Sequence, residues 1–180
     1  VFSDLNNLTD ISMDHRYISI CGMTEKELLT NFKEGIGELA SANEDNETET
    51  IDKLRMRYSG YHFEENSEEI YNPFSVLNTL TNSRYDDYWF KANTHTFLID
   101  ILKKHDYCIT EFSKAQVKAN MMNNVDSNPI PGIYQSGYLT IKSYDERFKN
   151  YQLGIPNKEV EEGILNTLLP HGCKTAEMDC

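Results

Sequence analysis

Ile130-Pro131-Gly132-Ile133-Tyr134-Gln135-Ser136-Gly137-Tyr138-Leu139-Thr140-Ile141, answered by Tyr151-Gln152-Leu153-Gly154-Ile155, is the stretch on which the fold turns. Ile130 to Gln135 reads as the end of a helix or a turn, and Gly137 breaks it, because glycine enters left-handed backbone at no steric cost. Tyr138 to Ile141 alternates as a strand, Tyr151 to Ile155 is its partner, and Ser143 to Asn150 is the tip between them. Pro156-Asn157 then opens a helix whose Val160, Ile164, Leu165 and Leu168 recur at helical spacing before Pro170 ends it. Helix, two-stranded wing and helix predict a winged-helix-like module over 123–170.

Upstream, Asn123 to Pro131 is rich in Asn, Asp, Ser and Pro and reads as a linker or long turn, the internal boundary of the chain. The region before it is predicted to be helical. Thr24-Glu25-Lys26-Glu27 is a capping box, and Leu28, Phe32, Ile36 and Leu39 follow at helical spacing, so one helix is expected from about Glu25 to Ala42. Asn43 to Thr50 is acidic and polar, a solvated loop, and Ile51, Leu54 and Tyr58 mark a second helix stopped by Gly60 and paired with the first as a hairpin. Tyr61-His62-Phe63 and Ile70-Tyr71 read as two short strands joined by a polar loop, and Tyr17-Ile18-Ser19-Ile20 as another strand near the start. Asn72 caps the next helix and Pro73 takes its first position, where a missing amide costs nothing. That helix ends near Ser83, with either Phe74, Leu77 and Leu80 or Val76 and Leu80 as its apolar face. Tyr85, Tyr88, Trp89 and Phe90 form an aromatic patch ahead of a helix from about Thr96 to His105, and a further helix is expected between Ser113 and Met122.

Composition narrows the function classes. With 180 residues, 39% hydrophobic and 11% aromatic, the chain can bury a core without disulfides or metal. Lys and Arg number 17 against 29 Asp and Glu, a formal charge of −12, which opposes long-range attraction to phosphate backbones and anionic membranes. No apolar run approaches the roughly 20 residues of a membrane span, the opening residues lack the pattern of a signal peptide, and the cytoplasm is the simplest location. Val1 is not preceded by a methionine, so the chain is expected to be a piece of a longer protein. The cysteines, Cys21, Cys108, Cys173 and Cys180, have no C-x-x-C spacing and are expected to be free thiols.

The residues that could carry chemistry are few. Gly132 to Gly137 has the glycine spacing of a phosphate loop, but Tyr138 and Leu139 stand where Lys and Ser or Thr would bind phosphate and magnesium. His62, Glu64 and Glu65 would alternate between faces of a strand and so fail to converge on a metal. His95 beside Asp100 and His105 beside Asp106 read as surface or helix-end residues, and no serine or cysteine has an identifiable base. Lys142, Arg147 and Lys149 gather near the wing tip as candidates for nucleic-acid contact, interrupted by Asp145 and Glu146.

Six strings now stand in order. They are Phe2-Ser3-Asp4-Leu5-Asn6-Asn7-Leu8-Thr9-Asp10-Ile11, Tyr58 to Phe63, Tyr71 to Ser75, Tyr88-Trp89-Phe90, Tyr134 to Ile141, and Pro156-Asn157-Lys158-Glu159-Val160. Together they closely resemble the bacterial AAA-ATPase-like family, whose full-length members often carry a PD-(D/E)xK-type nuclease domain at the C-terminus. The resemblance implies that the phosphate loop and the acidic magnesium-binding strand lie upstream of the matched segment and that the nuclease begins after the helix from Glu159. ATP and magnesium are thus implied for the full-length family, and no cofactor is expected for this chain. It also implies that Asn6 and Asn7 follow the strand bearing the nucleotide-sensing polar residue, which makes them the candidates for nucleotide contact; turn and capping chemistry is the alternative. Lys91-Ala92-Asn93-Thr94-His95 departs from the family's Thr-Gly-Thr-Pro string, and the tail from His171 to Cys180 departs from the family as well.

The resulting expectation is a mainly α chain with short β-hairpins, a helical lid bundle followed by a winged-helix-like module. It divides into the end of an ATPase-core-like segment (1–22), a helical lid-like region (23–122), the winged-helix-like module (123–170) and a tail (171–180). Its expected role is non-catalytic: a regulatory lid that closes over a nucleotide site and couples its state to a nuclease or partner domain. A winged helix that binds nucleic acid, and a protein-interaction or oligomerisation domain, are the alternatives. The expected partners are the missing ATPase core and nuclease domain, with nucleic acid and self-association open and no membrane.

Overall fold

Thr24 and Asn46 start the first helical layer, each by the same reciprocal chemistry. The computed structural model describes residues 20, 22–64, 67–92, 95–105, 115–119 and 128–168. The expected strand at 17–20 apart from Ile20, Asn6 and Asn7, the four cysteines, most of the 123–131 linker and the tail lie outside them. At Thr24 the hydroxyl accepts from Glu27 N at 3.2 Å while the Glu27 carboxylate accepts from Thr24 N at 2.9 Å, satisfying two amides that the helix itself leaves unpaired. The single helix expected after it is two: α1 (Glu25–Asn31) and α2 (Lys33–Ala42), which meet at Phe32 with φ −123°. Phe32 N still donates to Leu28 O and Ile36 N to Phe32 O, so the bend costs little hydrogen bonding. It turns α2 so that Ile36, Leu39 and Ala40 are buried, with Phe32 packed at the corner.

The acidic stretch expected to be a loop is shorter than its composition implies. α3 (Glu47–Tyr58) begins inside it, because Asn46 accepts from Glu49 N at 2.9 Å and Glu49 accepts from Asn46 N at 3.1 Å. Asn46→Ala removes this box and is expected to lower stability by about 1 kcal/mol, read as a shift of the urea midpoint with an unchanged slope.

Two strands hold the layer together. β1 (Met23–Thr24) pairs antiparallel with β2 (Ile70–Tyr71), and Gly22 lies so close that an added Cβ would sit 1.8 Å from Ile70 Cγ2. The hairpin expected between 61–63 and 70–71 is reduced to one bridge, Tyr61 to Ile70. β1 instead supplies the paired partner of β2. Asn72 Oδ1 then accepts from Phe74 N and Ser75 N and starts α4 (Pro73–Asn82), which Ser83 ends at φ 48°. Of its two possible faces, the structure buries Val76 and Leu80, with Ser75 and Thr79 beside them, and leaves Phe74 47% and Leu77 42% exposed. The polar pair goes inward because each hydroxyl finds a buried partner there, Glu159 for Ser75 and Tyr58 for Thr79. Met23, Leu28, Ile36, Leu39, Leu54, Tyr58, Tyr71, Val76 and Leu80 make the first core.

The second core is built around a small sheet. After α5 (Tyr88–Ala92) and α6 (Thr96–His105) comes β3 (Gln116–Lys118), in place of the helix expected between Ser113 and Met122. Val117 is buried while Gln116 and Lys118 are exposed, a period of two that satisfies β3 by pairing with β5. α7 (Ile130–Gln135) leads through Gly137, φ 82°, into β4 (Thr140–Asp145), which returns as β5 (Asn150–Gly154). The sheet is antiparallel in the order β3-β5-β4, with a bulge between Ile141 and Ser143. α8 (Lys158–Leu168) closes it with Val160 and Ile164 inside. Phe90, Leu98, Ala115 and Val117 join residues from 130 to 164 in this core, so the chain is a mixed α/β arrangement of helices with two small antiparallel sheets. Among the described residues no helix is long and apolar enough to cross a membrane.

Candidate functional site at the junction of the two cores

α8 begins where α3 ends. Asn157 caps α8 by accepting from Val160 N at 3.2 Å and donates its amide to Ser59 O at 2.9 Å. Gly60, at φ +91°, lies against Pro156, with room for nothing larger: a Cβ there would stand 2.2 Å from the Pro156 carbonyl oxygen. A few residues on, Glu159 is wholly buried. Ser75 Oγ donates to its two oxygens at 2.9 and 2.7 Å, and Trp89 N donates at 2.9 Å. This carboxyl therefore joins α4 of the first core to α5 and α8 of the second.

No cation neutralises it among the described residues. The nearby Arg57 guanidinium is spent on Asp87 at 2.8 Å and Glu162 at 3.0 Å. Burial pushes the Glu159 carboxyl up to about 7, and the bonds from Ser75 and Trp89 only partly offset it. Alongside, Tyr58 OH donates to Asp86 O and accepts from Asp86 N and from Thr79 Oγ1, and burial raises its pKa. His95, read from sequence as a surface or helix-end residue, stands directly before α6, half-buried and stacked 3.8 Å from Phe90. Its Nε2 is 2.5 Å from Phe90 O, which can only accept, so the hydrogen sits on Nε2 and Nδ1 accepts from Tyr138 OH at 2.8 Å. Burial lowers the His95 pKa, consistent with a neutral ring.

Above the junction opens a cleft of about 400 Å³. Tyr61, Phe63, Tyr71, Pro73 and Trp89 form its walls, with Asn72 and the end of α7 at Gln135 and Ser136. Gly22 and Gly137 line it where backbone comes close; a Cβ on Gly137 would stand 3.2 Å from the Trp89 ring. His62 N donates to Thr140 Oγ1 at 2.6 Å and Thr140 Oγ1 to His62 O at 3.1 Å, fastening the Tyr61 to Phe63 wall onto β4. Glu159 does not line the cleft, and no group of three metal-ligating side chains occurs among the described residues. The arrangement offers aromatic faces and shape to a bound group.

The residues proposed from sequence fall elsewhere. Asn6 and Asn7 lie outside the described residues. Arg147 and Lys149 sit in the turn between β4 and β5, Arg147 stacked 5.2 Å from the Phe148 ring. Lys142 lies toward the other end of β4, its Nζ 3.5 Å from Pro156 O and its pKa lowered by burial, so the three are not gathered into one patch. By contrast, the strings Tyr58 to Phe63, Tyr71 to Ser75, Tyr88 to Phe90, Tyr134 to Ile141 and Pro156 to Val160 all meet at the junction and its cleft. Glu159 was the residue sequence reasoning passed over. Its signal was faint: an acidic side chain one position before Val160 on an apolar helix face.

Comparison with known proteins adds one relative. A protein of Azotobacter chroococcum mcd 1, described as an uncharacterized protein in the vnfD 5' region, is 31% identical over 174 residues, which cover 94% of this chain and 31% of the relative. The chain thus spans about a third of the length of that curated relative. No family model matches the chain, and no solved structure matches it.

Proposed function

We propose that this chain is the helical lid and winged-helix-like part of a protein of the AAA-ATPase-like kind, a non-catalytic piece that passes nucleotide state to a neighbouring nuclease or partner domain. One observation carries the reading: five of the six strings that bear the resemblance, separated along the chain, converge on a single junction between two cores. A lid that relays a signal needs such a rigid seam between its halves. The relative is about three times as long as the stretch it shares with this chain, which leaves room for further domains. In this reading the protein works in the cytoplasm, ATP and magnesium are bound by the missing core, and this chain completes the nucleotide site.

Calorimetry tests it. ATP with magnesium titrated into this chain alone is expected to give no binding heat, whereas the chain mixed with the upstream part of the full-length protein is expected to bind. Hydrolysis of ATP by the isolated chain above a mock-purified control would overturn the proposal, as would the absence of binding in the mixture.

A further inference from the structure

The cleft at the junction has walls without charge. Tyr61, Phe63, Pro73 and Trp89 are partly exposed and offer rings, while Tyr71, also in the lining, is buried with its hydroxyl donating to Glu25. Tyr61 OH donates to Gly137 O, Ser136 Oγ donates to Gly132 O, and Asn72 Oδ1 accepts from Phe74 N and Ser75 N. A bound group therefore finds faces to stack on and few edges to hydrogen-bond. A nucleobase buried there would leave its own donors and acceptors unpaired, which is costly. A proline ring carries no N–H, and aromatic-lined grooves take the extended left-handed helix of proline-rich segments because it is preformed.

Charge sets the rest of the occupant. Glu64, Glu68 and Glu69 lie on the segment that joins the Phe63 wall to β2. Among the described residues Glu64 and Glu68 have no ion-pair partner, while Glu69 lies 4.0 Å from His62 Nε2 and interacts electrostatically with Lys142. The chain as a whole carries −12. An acidic border beside an aromatic cleft complements a cationic side chain placed next to prolines.

We infer that this cleft is a docking site for a proline-rich, basic peptide segment of a protein partner. The inference goes beyond the lid reading and stands without it, since it requires neither nucleotide nor an ATPase core.

Trp89 is the only tryptophan in the chain and stands in the cleft wall, so its emission reports occupancy directly. The whole chain is titrated with a synthetic proline-rich peptide bearing arginines at one end. The controls are the same peptide with glycine for proline, the same with glutamate for arginine, and an oligoadenylate. Expected is a saturable change in Trp89 emission with the proline-arginine peptide, and affinity at least about tenfold weaker for both control peptides, as aromatic-groove recognition and charge complementarity require. Glu68→Lys, an exposed change, is expected to weaken the basic peptide severalfold while leaving the thermal midpoint in place, and Phe63→Ser to weaken both the basic and the glutamate peptide. No emission change with the proline-arginine peptide overturns the proposal, as does an equal response to the glycine peptide. A response to oligoadenylate in preference to peptide overturns it in favour of a base-binding cleft. Failure of nucleotide binding in the calorimetry above leaves these outcomes unaffected, so the two proposals fail separately.

Discussion

Glu159→Gln is expected to remove most of a pH dependence of stability that the native chain shows between pH 4.5 and about 7. The carboxyl ordinarily titrates near 4.5, and burial raises it to about 7 in the folded protein. The folded state therefore holds this proton more tightly than the unfolded state. Below 4.5 the group is protonated in both states and its contribution is fully present. As pH rises through about 7 the folded protein must accommodate a carboxylate with no cation beside it among the described residues, and the contribution is lost. At about 1.4 kcal/mol per pH unit, the loss is on the order of 3 kcal/mol.

The groups around Glu159 do not cancel this. Ser75 and the Trp89 amide stabilise the ionised form only partly, and Asp87 repels it. Glu25, held low by Arg55, and Asp86, held low by Lys91, act in the opposite sense, and they lose their contribution as pH falls below the ordinary carboxylate range, outside this window. Urea midpoints of the native chain and the variant, measured from pH 5 to pH 8, check the expectation: the native curve falls relative to the variant's, while His95, whose burial-lowered pKa makes stability rise towards pH 6.5, contributes equally to both. Parallel curves would show that Glu159 does not titrate in this range.

Gly60→Ala is expected to be strongly destabilising. Gly60 holds φ +91°, where an L-residue is strained, and its added Cβ would stand 2.2 Å from Pro156 O. The obstacle is backbone at the cap of α8, so it cannot move without breaking the Asn157 to Ser59 bond. Strain and clash together are expected to cost about 3 kcal/mol or more. Gly37 is the control, since a Cβ there meets nothing within 4 Å. Gly37→Ala, in the middle of α2, is expected to stabilise by about 0.5–1 kcal/mol. Thermal melts of the two variants should shift in opposite directions, and a neutral Gly60→Ala would mean that the α3–α8 seam yields easily.

Local chemistry was legible where the causes lie within a few residues. The Thr24 and Glu27 box, Asn72 before Pro73, Pro156-Asn157 before α8, and the positive φ at Gly60 and Gly137 are all satisfied as their residue types imply. The Asn46 and Glu49 box carried the same signal and was hidden by the acidic composition around it. β3 was misread as helix because three residues of alternation are too short to outweigh their surroundings, and only β5 beside them decides the matter. The choice of face on α4 was likewise open until Glu159 and Tyr58 offered partners to Ser75 and Thr79.

Of this protein, the sequence by itself determined a folding, acidic chain of capped helices with a late hairpin, and the set of strings that carries its resemblance. These features come from capping, glycine and periodicity, which act over one or two turns of chain. Only the tertiary structure decided that the five of those strings lying among the described residues share one seam, that Glu159 lies buried there with no cation beside it among the described residues, and that Trp89 and Tyr61 wall a cleft above it. Burial and juxtaposition of residues as far apart as Ser75 and Glu159 depend on how the two cores pack, and no local pattern encodes that distance.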